Sequence, residues 1–288
     1  MTSRTALSSP RRFRALLELA DPVLLPGAYD ALTARIIADA GFDGVYLGGF
    51  AAGASGLGVP DHSLITMTEI LDLARRVTAA VDVPVIADLD DAGGNAVNVR
   101  RFVRLAERAG LAGVHIEDVV AGKHFGAHPD TYADIATFAN RIRAAADART
   151  DDDFVIIARS DTRGVEEMIE RCVAAVDAGA DMIFLPHLRR RDVERVTQAC
   201  SAPMMQIGTS RTAASDSGAK VVIFPGDLLF ASFDAARESA RRLRSGTADA
   251  VEGSVFTELN RIIGSPEAAS AAERYGVVTR SLDIGGNS

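Results

Sequence analysis

The chain has 288 residues, a formal net charge of −8 at pH 7 and two cysteines, Cys172 and Cys200. This length is sufficient for one large core, and two cysteines are too few for a disulfide framework, so we expect buried thiols in a cytoplasmic protein. The acidic balance argues against a nucleic-acid partner, and the lack of about 18 consecutive apolar residues argues against a membrane-spanning helix.

The predicted elements begin with a short helix. Ser9 is typical of a helix cap and Pro10 of the first helical position, and Phe13, Leu16 and Leu17 follow at helical spacing. Eight short apolar segments then predict strands: Val23–Leu25, Gly44–Leu47, Pro84–Asp88, Gly113–Glu117, Asp153–Arg159, Asp181–Leu185, Pro203–Ile207 and Lys220–Phe224. Helical periodicity predicts helices between or after them: Ala31–Ala40, Thr68–Ala80, Val97–Ala109, Ile135–Ala148, Glu166–Ala178, Arg191–Ala199 and Leu228–Arg244.

The alternation of these elements indicates an α/β fold. Strands that are apolar along their whole length are typical of a parallel sheet covered by helices. Eight strand–helix units predict a closed (β/α)8 barrel of the TIM type, and a doubly wound open sheet is the less favoured alternative. No linker divides the chain, so we predict a single domain over residues 1–288, with the barrel at about 20–245. The C-terminal helical tail, about 246–288, includes a helix at Pro266–Arg274 and lies on the barrel or reaches a neighbouring subunit.

Acidic side chains follow the third and fourth predicted strands, where barrel active sites are built. Asp88 and Asp90 alternate on an extended segment and can point to one side, and Glu117 on the next strand can join them. Three crowded carboxylates need a cation, and oxygen ligands without a Cys/His set favour Mg²⁺ or Mn²⁺. The alternative is that these acids cap the following helices or pair with Arg100 and Arg101.

Two further features favour an anionic ligand. Arg159 ends an apolar strand, where a cation requires an anion, either a substrate carboxylate or Asp161. The second strand opens a long glycine-rich loop, Phe50 to Leu64, and the glycines from Gly48 onward would let backbone amides approach an anion. No phosphate-binding motif is present, so nucleotide binding is not indicated.

Histidines occur in a separate loop. His124 and His128 lie among glycines and a proline, which argues against a helix, so we interpret them as residues of a mobile lid or, alternatively, as surface histidines.

Six segments together resemble the isocitrate lyase and phosphoenolpyruvate mutase superfamily over about residues 10 to 245: Leu25–Arg35, Ala40–Gly49, Gly58–Asp61, Ile86–Asp90, Val114–Asp118 and Ile156–Asp161. The resemblance implies a (β/α)8 barrel, a Mg²⁺ ion, small α-oxo or α-hydroxy (2-oxo or 2-hydroxy) acid substrates and enolate-type intermediates. It also implies homo-oligomers, tetramers or dimers, in which a C-terminal helix is commonly exchanged.

Residue roles also follow from this resemblance. The resemblance predicts that the metal is bound by Asp88, Asp90 and Glu117. It also predicts three candidate catalytic residues, Tyr46, Arg159 and His124. The predicted substrate-binding residues are Tyr46, Leu47, Gly48, Gly49, Asp61, Arg159 and His187.

One departure guides the choice of reaction. The lid segment has Phe125 where lyases of the superfamily carry a proton-donating cysteine, and it looks most like the oxaloacetate decarboxylase branch. We therefore expect Mg²⁺-dependent carbon–carbon cleavage of an α-oxo or α-hydroxy dicarboxylate, with decarboxylation of oxaloacetate to pyruvate and CO₂ favoured. The alternatives are a lyase of a substituted malate or methylisocitrate-like acid, a phosphorus–carbon bond enzyme, and a barrel without turnover that acts as a binding subunit.

Overall fold

Eight parallel strands close into a barrel in the order in which they occur in the chain. This computed structural model describes residues 7–120, 131–210, 218–247, 250 and 252–276. The strands, β1 to β8, are Val23–Ala28, Val45–Leu47, Val85–Asp88, Gly113–Glu117, Val155–Arg159, Met182–Phe184, Met204–Ile207 and Val221–Phe224. Because β8 pairs with β1, the sheet has no open edge: the predicted (β/α)8 barrel is confirmed and the open-sheet alternative is wrong.

The described helices follow the predicted periodicity closely. In chain order, α1 to α11 are Ser9–Leu17, Ala31–Asp39, Gly49–Gly56, Met67–Ala80, Ala96–Arg108, Ile135–Ala146, Val165–Asp177, Val193–Ala199, Asp227–Ser245, Gly253–Ile262 and Ser265–Arg274. A short 3₁₀ helix, Arg190–Asp192, precedes α8. One predicted cap is wrong by a residue, because the side chain of Ser8, not Ser9, accepts the hydrogen bond from the Arg11 amide.

The core has two layers, because successive side chains of a strand point to opposite faces. Tyr46 belongs to the inner layer, which fills the barrel, whereas its neighbour Leu47 belongs to the outer layer between strands and helices. Phe13 of α1 is fully buried in the inner layer, so this N-terminal helix is part of the barrel core. The alternation also decides which residues at the strand ends face the interior.

The chain divides into two compact units, Met1–Ala236 and Arg237–Ser288. The first unit contains the barrel. In the second, α10 and α11 contact each other and expose several apolar side chains, including Val255, Phe256 and Tyr275. None of the helices in the described ranges combines the length and the apolar character needed to cross a bilayer.

Candidate active site

Two pairs of opposed residues bring charged side chains together at the C-terminal end of the barrel. Asp88 of β3 lies opposite His115 of β4, and Glu117 of β4 lies opposite Arg159 of β5. The His115 ring stacks on the inner-layer Tyr46 ring, with ring centroids 5.8 Å apart, so these positions face the barrel interior. The parallel register therefore gathers residues from three neighbouring strands at one end.

Arg159 lies at the centre of this group. Its Nε and Nη2 donate to Asp161 Oδ2 and Oδ1 at 2.7 and 3.0 Å, Nε lies 3.1 Å from Glu117 Oε2, and Nη1 lies 3.4 Å from Asp88 Oδ2. The guanidinium also lies 5.4 Å from the centroid of the Phe184 ring. Burial opposes the charge, but the carboxylates of Glu117, Asp161 and Asp88 outweigh it, so the pKa of Arg159 is raised well above its usual value. Asp161, one of the two partners expected from the sequence, contacts Arg159 directly.

Asp88 and Asp90 are both buried, but the backbone between them is not extended as predicted. Asp90 has a φ of +46°, and its amide donates to Asp88 Oδ1 at 2.8 Å. Both carboxylates nevertheless approach Gly49: a Cβ added there would lie 3.3 Å from Asp88 Oδ2 and 3.6 Å from Asp90 Oδ1. Neither aspartate caps α5, since the Asn95 side chain accepts from the first-turn amides of that helix. The alternative that Asp88 or Asp90 caps this helix is therefore wrong.

The donor chemistry of these residues fits a hard divalent cation. Three buried carboxylates, those of Asp88, Glu117 and Asp161, contact a single guanidinium, so negative charge exceeds positive charge. Such an excess is costly in a protein interior, and oxygen ligands of this kind suit Mg²⁺. Within the described residues, however, no group of three or more His, Cys, Asp or Glu side chains is arranged to hold a metal ion. The observed contacts of Asp88 and Glu117 with Arg159 are ion pairs.

A cavity of about 140 Å³ lies beside Arg159. Its lining residues are Tyr46, Gly48, Gly49, Phe50, Ala51, Asp61, Asp88, Arg159, Phe184, Ile207, Ile223 and Pro225. Pockets that bind drug-sized ligands measure about 300–1,000 Å³, so the part of the cavity bounded by these residues suits a small acid. Gly48 is required here, because a Cβ would lie 2.9 Å from the Tyr46 ring.

Other predicted residues lie outside the cavity lining. The side chain of Leu47 is fully buried in the outer core layer, and Leu47 is absent from the described residues that line the cavity. His187 Nε2 lies 3.8 Å from Asp161 Oδ1. Asp90 and Glu117 are buried next to the cavity. His124 lies outside the described residues.

The glycine-rich segment after β2 is not a loop throughout, as predicted, but forms α3, capped by Gly48. Ala51, Ala52 and the adjacent Gly53 are buried, so packing favours a helix here despite the glycines. First-turn amides of a helix have no carbonyl acceptor within it. Gly49 and Phe50 begin α3 and line the cavity, so an anion bound there would be stabilised by the partial positive charge of this helix N-terminus.

Sequence reasoning missed His115 and the apolar side of the cavity. His115 is fully buried, and its Nε2 and Tyr46 Oη share a hydrogen bond of 3.0 Å. The alternation of His115 with Glu117 on β4 was a usable signal, since both residues must face the same side of the strand. Ile207 and Ile223 come from β7 and β8, and no motif distinguishes them from core residues.

The position of the cavity, at the C-terminal ends of the strands of a (β/α)8 barrel, is that of the active site in barrel enzymes. The family model described as phosphoenolpyruvate phosphomutase matches residues 13–244. The chain belongs to this family, and the resemblance to the isocitrate lyase and phosphoenolpyruvate mutase superfamily is confirmed.

Curated relatives catalyse different reactions. The 2,3-dimethylmalate lyase of Eubacterium barkeri is 44% identical over 184 residues, 62% of this chain and 63% of the relative, which is less than two thirds of its length. The 2-methylisocitrate lyase of Shewanella oneidensis is 34% identical over 250 residues, covering 82% and 84% of the two chains. Oxaloacetate decarboxylase 1 of Pseudomonas fluorescens is 34% identical over 267 residues, covering 89% and 92%.

Solved structures show the same architecture. Oxaloacetate acetylhydrolase in complex with the inhibitor 3,3-difluorooxalacetate superposes with a TM-score of 0.87 at 30% identity, covering 95% of this chain and 99% of the other. Phosphonopyruvate hydrolase in complex with oxalate and Mg²⁺ has a TM-score of 0.81 at 28% identity, covering 93% and 99%. These proteins share the barrel but differ in the reaction that each carries out.

Proposed function

We propose that the protein is a Mg²⁺-dependent carbon–carbon lyase of a small α-oxo or α-hydroxy dicarboxylate, and that it decarboxylates oxaloacetate to pyruvate and CO₂. The observation that carries this proposal is the chemistry of the cavity wall. Among the described lining residues, Arg159 is the one cation, and Phe184, Ile207, Ile223 and Pro225 form an apolar side. Similarity to an oxaloacetate decarboxylase over 89% of the chain supports the same reaction.

This wall distinguishes the two ends of a dicarboxylate. One carboxylate would bind Arg159, whose guanidinium carries the fork geometry that carboxylates prefer. The other carboxylate would lie against Ile223, which is buried, so that a charge there is poorly solvated. When the carbon–carbon bond breaks and the group leaves as neutral CO₂, the electron pair stays on the remaining fragment as an enolate. The negative charge thus moves away from the apolar wall, which favours decarboxylation over simple binding.

The remaining residues have separable tasks. Asp88, Asp90 and Glu117 would hold Mg²⁺, which when bound supplies Lewis-acid stabilisation of developing negative charge. The amides at the start of α3, from Gly49 and Phe50, would donate hydrogen bonds to an anionic oxygen in the cavity.

Proton delivery is the final step. The carbon that loses CO₂ must take up a proton, and Tyr46 Oη is the described lining hydroxyl that His115 Nε2 orients at 3.0 Å. His124 remains the candidate donor from the sequence.

Cleavage of a substituted malate is the second candidate. It is favoured by the 44% identity to a 2,3-dimethylmalate lyase, although that match covers 63% of the relative. The apolar wall that would accept a departing carboxylate would also accept methyl groups. Such a reaction needs a group that removes the proton of the 2-hydroxyl. Tyr46 Oη would take that proton while passing its own proton to His115 Nε2, with which it shares a hydrogen bond of 3.0 Å.

Substrate screening with purified protein tests both candidates. Oxaloacetate and 2,3-dimethylmalate are each incubated with Mg²⁺ or with excess chelator, and products are quantified by mass analysis after subtraction of the spontaneous decarboxylation of oxaloacetate. We expect Mg²⁺-dependent pyruvate formation from oxaloacetate above the protein-free rate. If only 2,3-dimethylmalate is converted, the protein is assigned as a lyase of a substituted malate. If neither substrate is converted, the proposal is refuted.

A further inference from the structure

Asp118, one residue beyond β4, holds the segment that carries Arg159 from behind the cavity. It is fully buried, and it is absent from the described residues that line the cavity. Its Oδ2 accepts from Ser160 Oγ at 2.7 Å, and its Oδ1 accepts from the Asp161 amide at 3.1 Å. Its own amide donates to the Arg159 carbonyl at 3.1 Å. One side chain and its backbone thus contact three consecutive residues.

Arg171 of α7 completes this cluster. Its Nη1 lies 3.2 Å from Asp118 Oδ2 and donates to the Ala133 carbonyl at 2.8 Å. Its guanidinium lies 5.8 Å from the centroid of the Tyr132 ring, and Tyr132 Oη donates to the Asp161 carbonyl at 2.9 Å. Asp161 is therefore held through its amide by Asp118 and through its carbonyl by Tyr132.

Stability alone does not account for such a cluster. Burial raises the pKa of Asp118, and the hydrogen bonds from Ser160 and Asp161 and the charge of Arg171 act against this shift. A buried ion pair is often no more stabilising than an apolar pair of the same volume. Hydrogen bonds are directional, however, so a buried polar cluster held by them fixes the orientation of the groups it contacts.

We propose that Asp118, Arg171 and Tyr132 are positioning residues that set the direction of the Arg159 guanidinium by fixing Ser160 and Asp161 from behind the cavity. The path is short: Asp118 holds the Asp161 backbone, and the Asp161 carboxylate holds Nε and Nη2 of Arg159. The inference rests on the proposed function for the role of Arg159 as the carboxylate-binding residue. A misplacement of about 1 Å at such a residue can lower the rate about 100-fold.

Three variants separate positioning from stability. Asp118→Asn removes the charge and one acceptor, and Tyr132→Phe removes only the hydroxyl that bonds Asp161. The matched control is Asp181→Asn, because Asp181 accepts from Arg14 and Arg149 at 2.7 Å each and from the Ile156 amide at 2.8 Å, just before β6 at the opposite end of the barrel. The variants are compared by thermal unfolding and by calorimetric titration with oxalate in the presence of Mg²⁺.

We expect Asp118→Asn to weaken oxalate binding at least about tenfold and Tyr132→Phe to weaken it about threefold, with the Tm of Tyr132→Phe unchanged. Asp181→Asn should lower Tm and leave oxalate affinity at the wild-type value. Equal oxalate affinity in wild type and Tyr132→Phe overturns the inference. If Asp118→Asn does not fold, the oxalate affinity of Tyr132→Phe alone decides whether the inference stands.

A double-variant cycle tests whether the effect passes through Arg159. If Asp118 acts by orienting the guanidinium fork, adding Asp118→Asn to Arg159→Lys should weaken oxalate binding little beyond Arg159→Lys alone. Fully additive effects would show that Asp118 acts elsewhere and would overturn the inference.

Crystal structures distinguish failure of this inference from failure of the proposed reaction. In Asp118→Asn or Tyr132→Phe we expect the Arg159 guanidinium to leave its two-point contact with Asp161. An unchanged contact in both variants overturns the positioning role whatever the substrate is. Absence of turnover by the wild-type protein contradicts the proposed reaction, and the crystal structures still decide the positioning role.

Discussion

Arg159 and Asp161, two residues apart at the end of β5, form a two-point ion pair with donor–acceptor distances of 2.7 and 3.0 Å. This pair uses Nε and Nη2 and leaves Nη1 with the longer contact of 3.4 Å to Asp88 Oδ2. A guanidinium held on one edge can present its other edge to a ligand, because its five donors lie in one rigid plane. The orientation of the whole group therefore depends on the Asp161 contact.

Replacement of Arg159 by lysine tests this geometry. Arg159→Lys keeps the positive charge but cannot bond Asp161 at two points and a substrate carboxylate at once. We expect kcat/KM for oxaloacetate to fall at least about tenfold, equivalent to roughly 1.4 kcal/mol of transition-state stabilisation.

The control for Arg159→Lys is Arg149→Lys, which disturbs the Arg149 contact with Asp181 before β6. It should change Tm without changing kcat/KM. Wild-type kinetics in Arg159→Lys would show that Arg159 serves only as a structural partner of Asp161.

The metal assignment is tested at Asp90. Because Asp90 adopts a positive φ, which asparagine tolerates better than most residues, Asp90→Asn removes the charge with little backbone strain. We expect loss of Mg²⁺-dependent turnover and at least about tenfold weaker Mg²⁺ binding, with an unchanged or raised Tm because acid–acid repulsion is relieved. Mg²⁺ titration by calorimetry and thermal unfolding measure both effects.

Asp91→Asn is the control for this experiment, since Asp91 accepts a hydrogen bond from the Gly93 amide and is absent from the described cavity lining. It should keep metal affinity and turnover. Unaltered Mg²⁺ binding in Asp90→Asn would contradict the metal site.

The close approach of Gly49 to the acids gives a steric prediction. Gly49→Ala would place a Cβ 3.3 Å from Asp88 Oδ2 and 3.6 Å from Asp90 Oδ1. Gly56→Ala, in the same helix, would meet no atom within 4 Å. We expect Gly49→Ala to lower kcat/KM about tenfold, because the acids must shift, whereas Gly56→Ala should retain activity and gain about 0.5–1 kcal/mol of stability. Equal activity of the two variants would show that Gly49 is not close to the reacting groups.

Apolar periodicity was sufficient to predict the barrel because each strand is a short apolar run between helical segments. The boundaries of β4 coincide with the predicted Gly113–Glu117, since charged or glycine residues end the apolar run on both sides. The glycine-rich segment after β2 was harder. Its glycines indicate a loop, but burial of Ala51 and Ala52 against neighbouring elements stabilises α3, and packing of this kind is not visible in local sequence.

The sequence predicts those residues of the candidate site that lie at strand ends. It does not predict the parts of the site that depend on backbone turns and side-chain direction. The positions of Asp88, Glu117 and Arg159 at strand ends follow directly from the alternating pattern. The turn at Asp90 depends on a positive φ that the sequence pattern does not indicate. The contact of Asp161 with Arg159 was one of two partners that the sequence left open, and the Arg159 rotamer decides between them.

Phe13 gives a test of the barrel core. This side chain is fully buried in the inner layer, so Phe13→Ala should cost about 3–5 kcal/mol of unfolding free energy through lost burial and an unfilled cavity. Leu19→Ala is the control, because Leu19 is 52% exposed and its truncation should change stability by no more than about 0.5 kcal/mol. Urea unfolding of both variants measures the difference. A small effect at Phe13 would mean that α1 is not part of the cooperative core.

The choice of substrate gives the final prediction, which concerns Phe125 and the size of the cavity. Phe125, outside the described residues, stands where lyases of the superfamily carry a proton-donating cysteine, and a phenyl ring has no proton to donate. The part of the cavity bounded by the described residues measures about 140 Å³, and we expect it to admit a four-carbon acid. We therefore expect oxaloacetate turnover without cleavage of isocitrate or 2-methylisocitrate. If Phe125 covers the cavity, as expected from the sequence for the lid segment, Phe125→Ala should admit water, slow oxaloacetate decarboxylation and still form pyruvate. Mass analysis of each reaction identifies the products, and cleavage of either tricarboxylate by the wild-type protein would contradict the decarboxylase assignment and support a lyase with another proton donor.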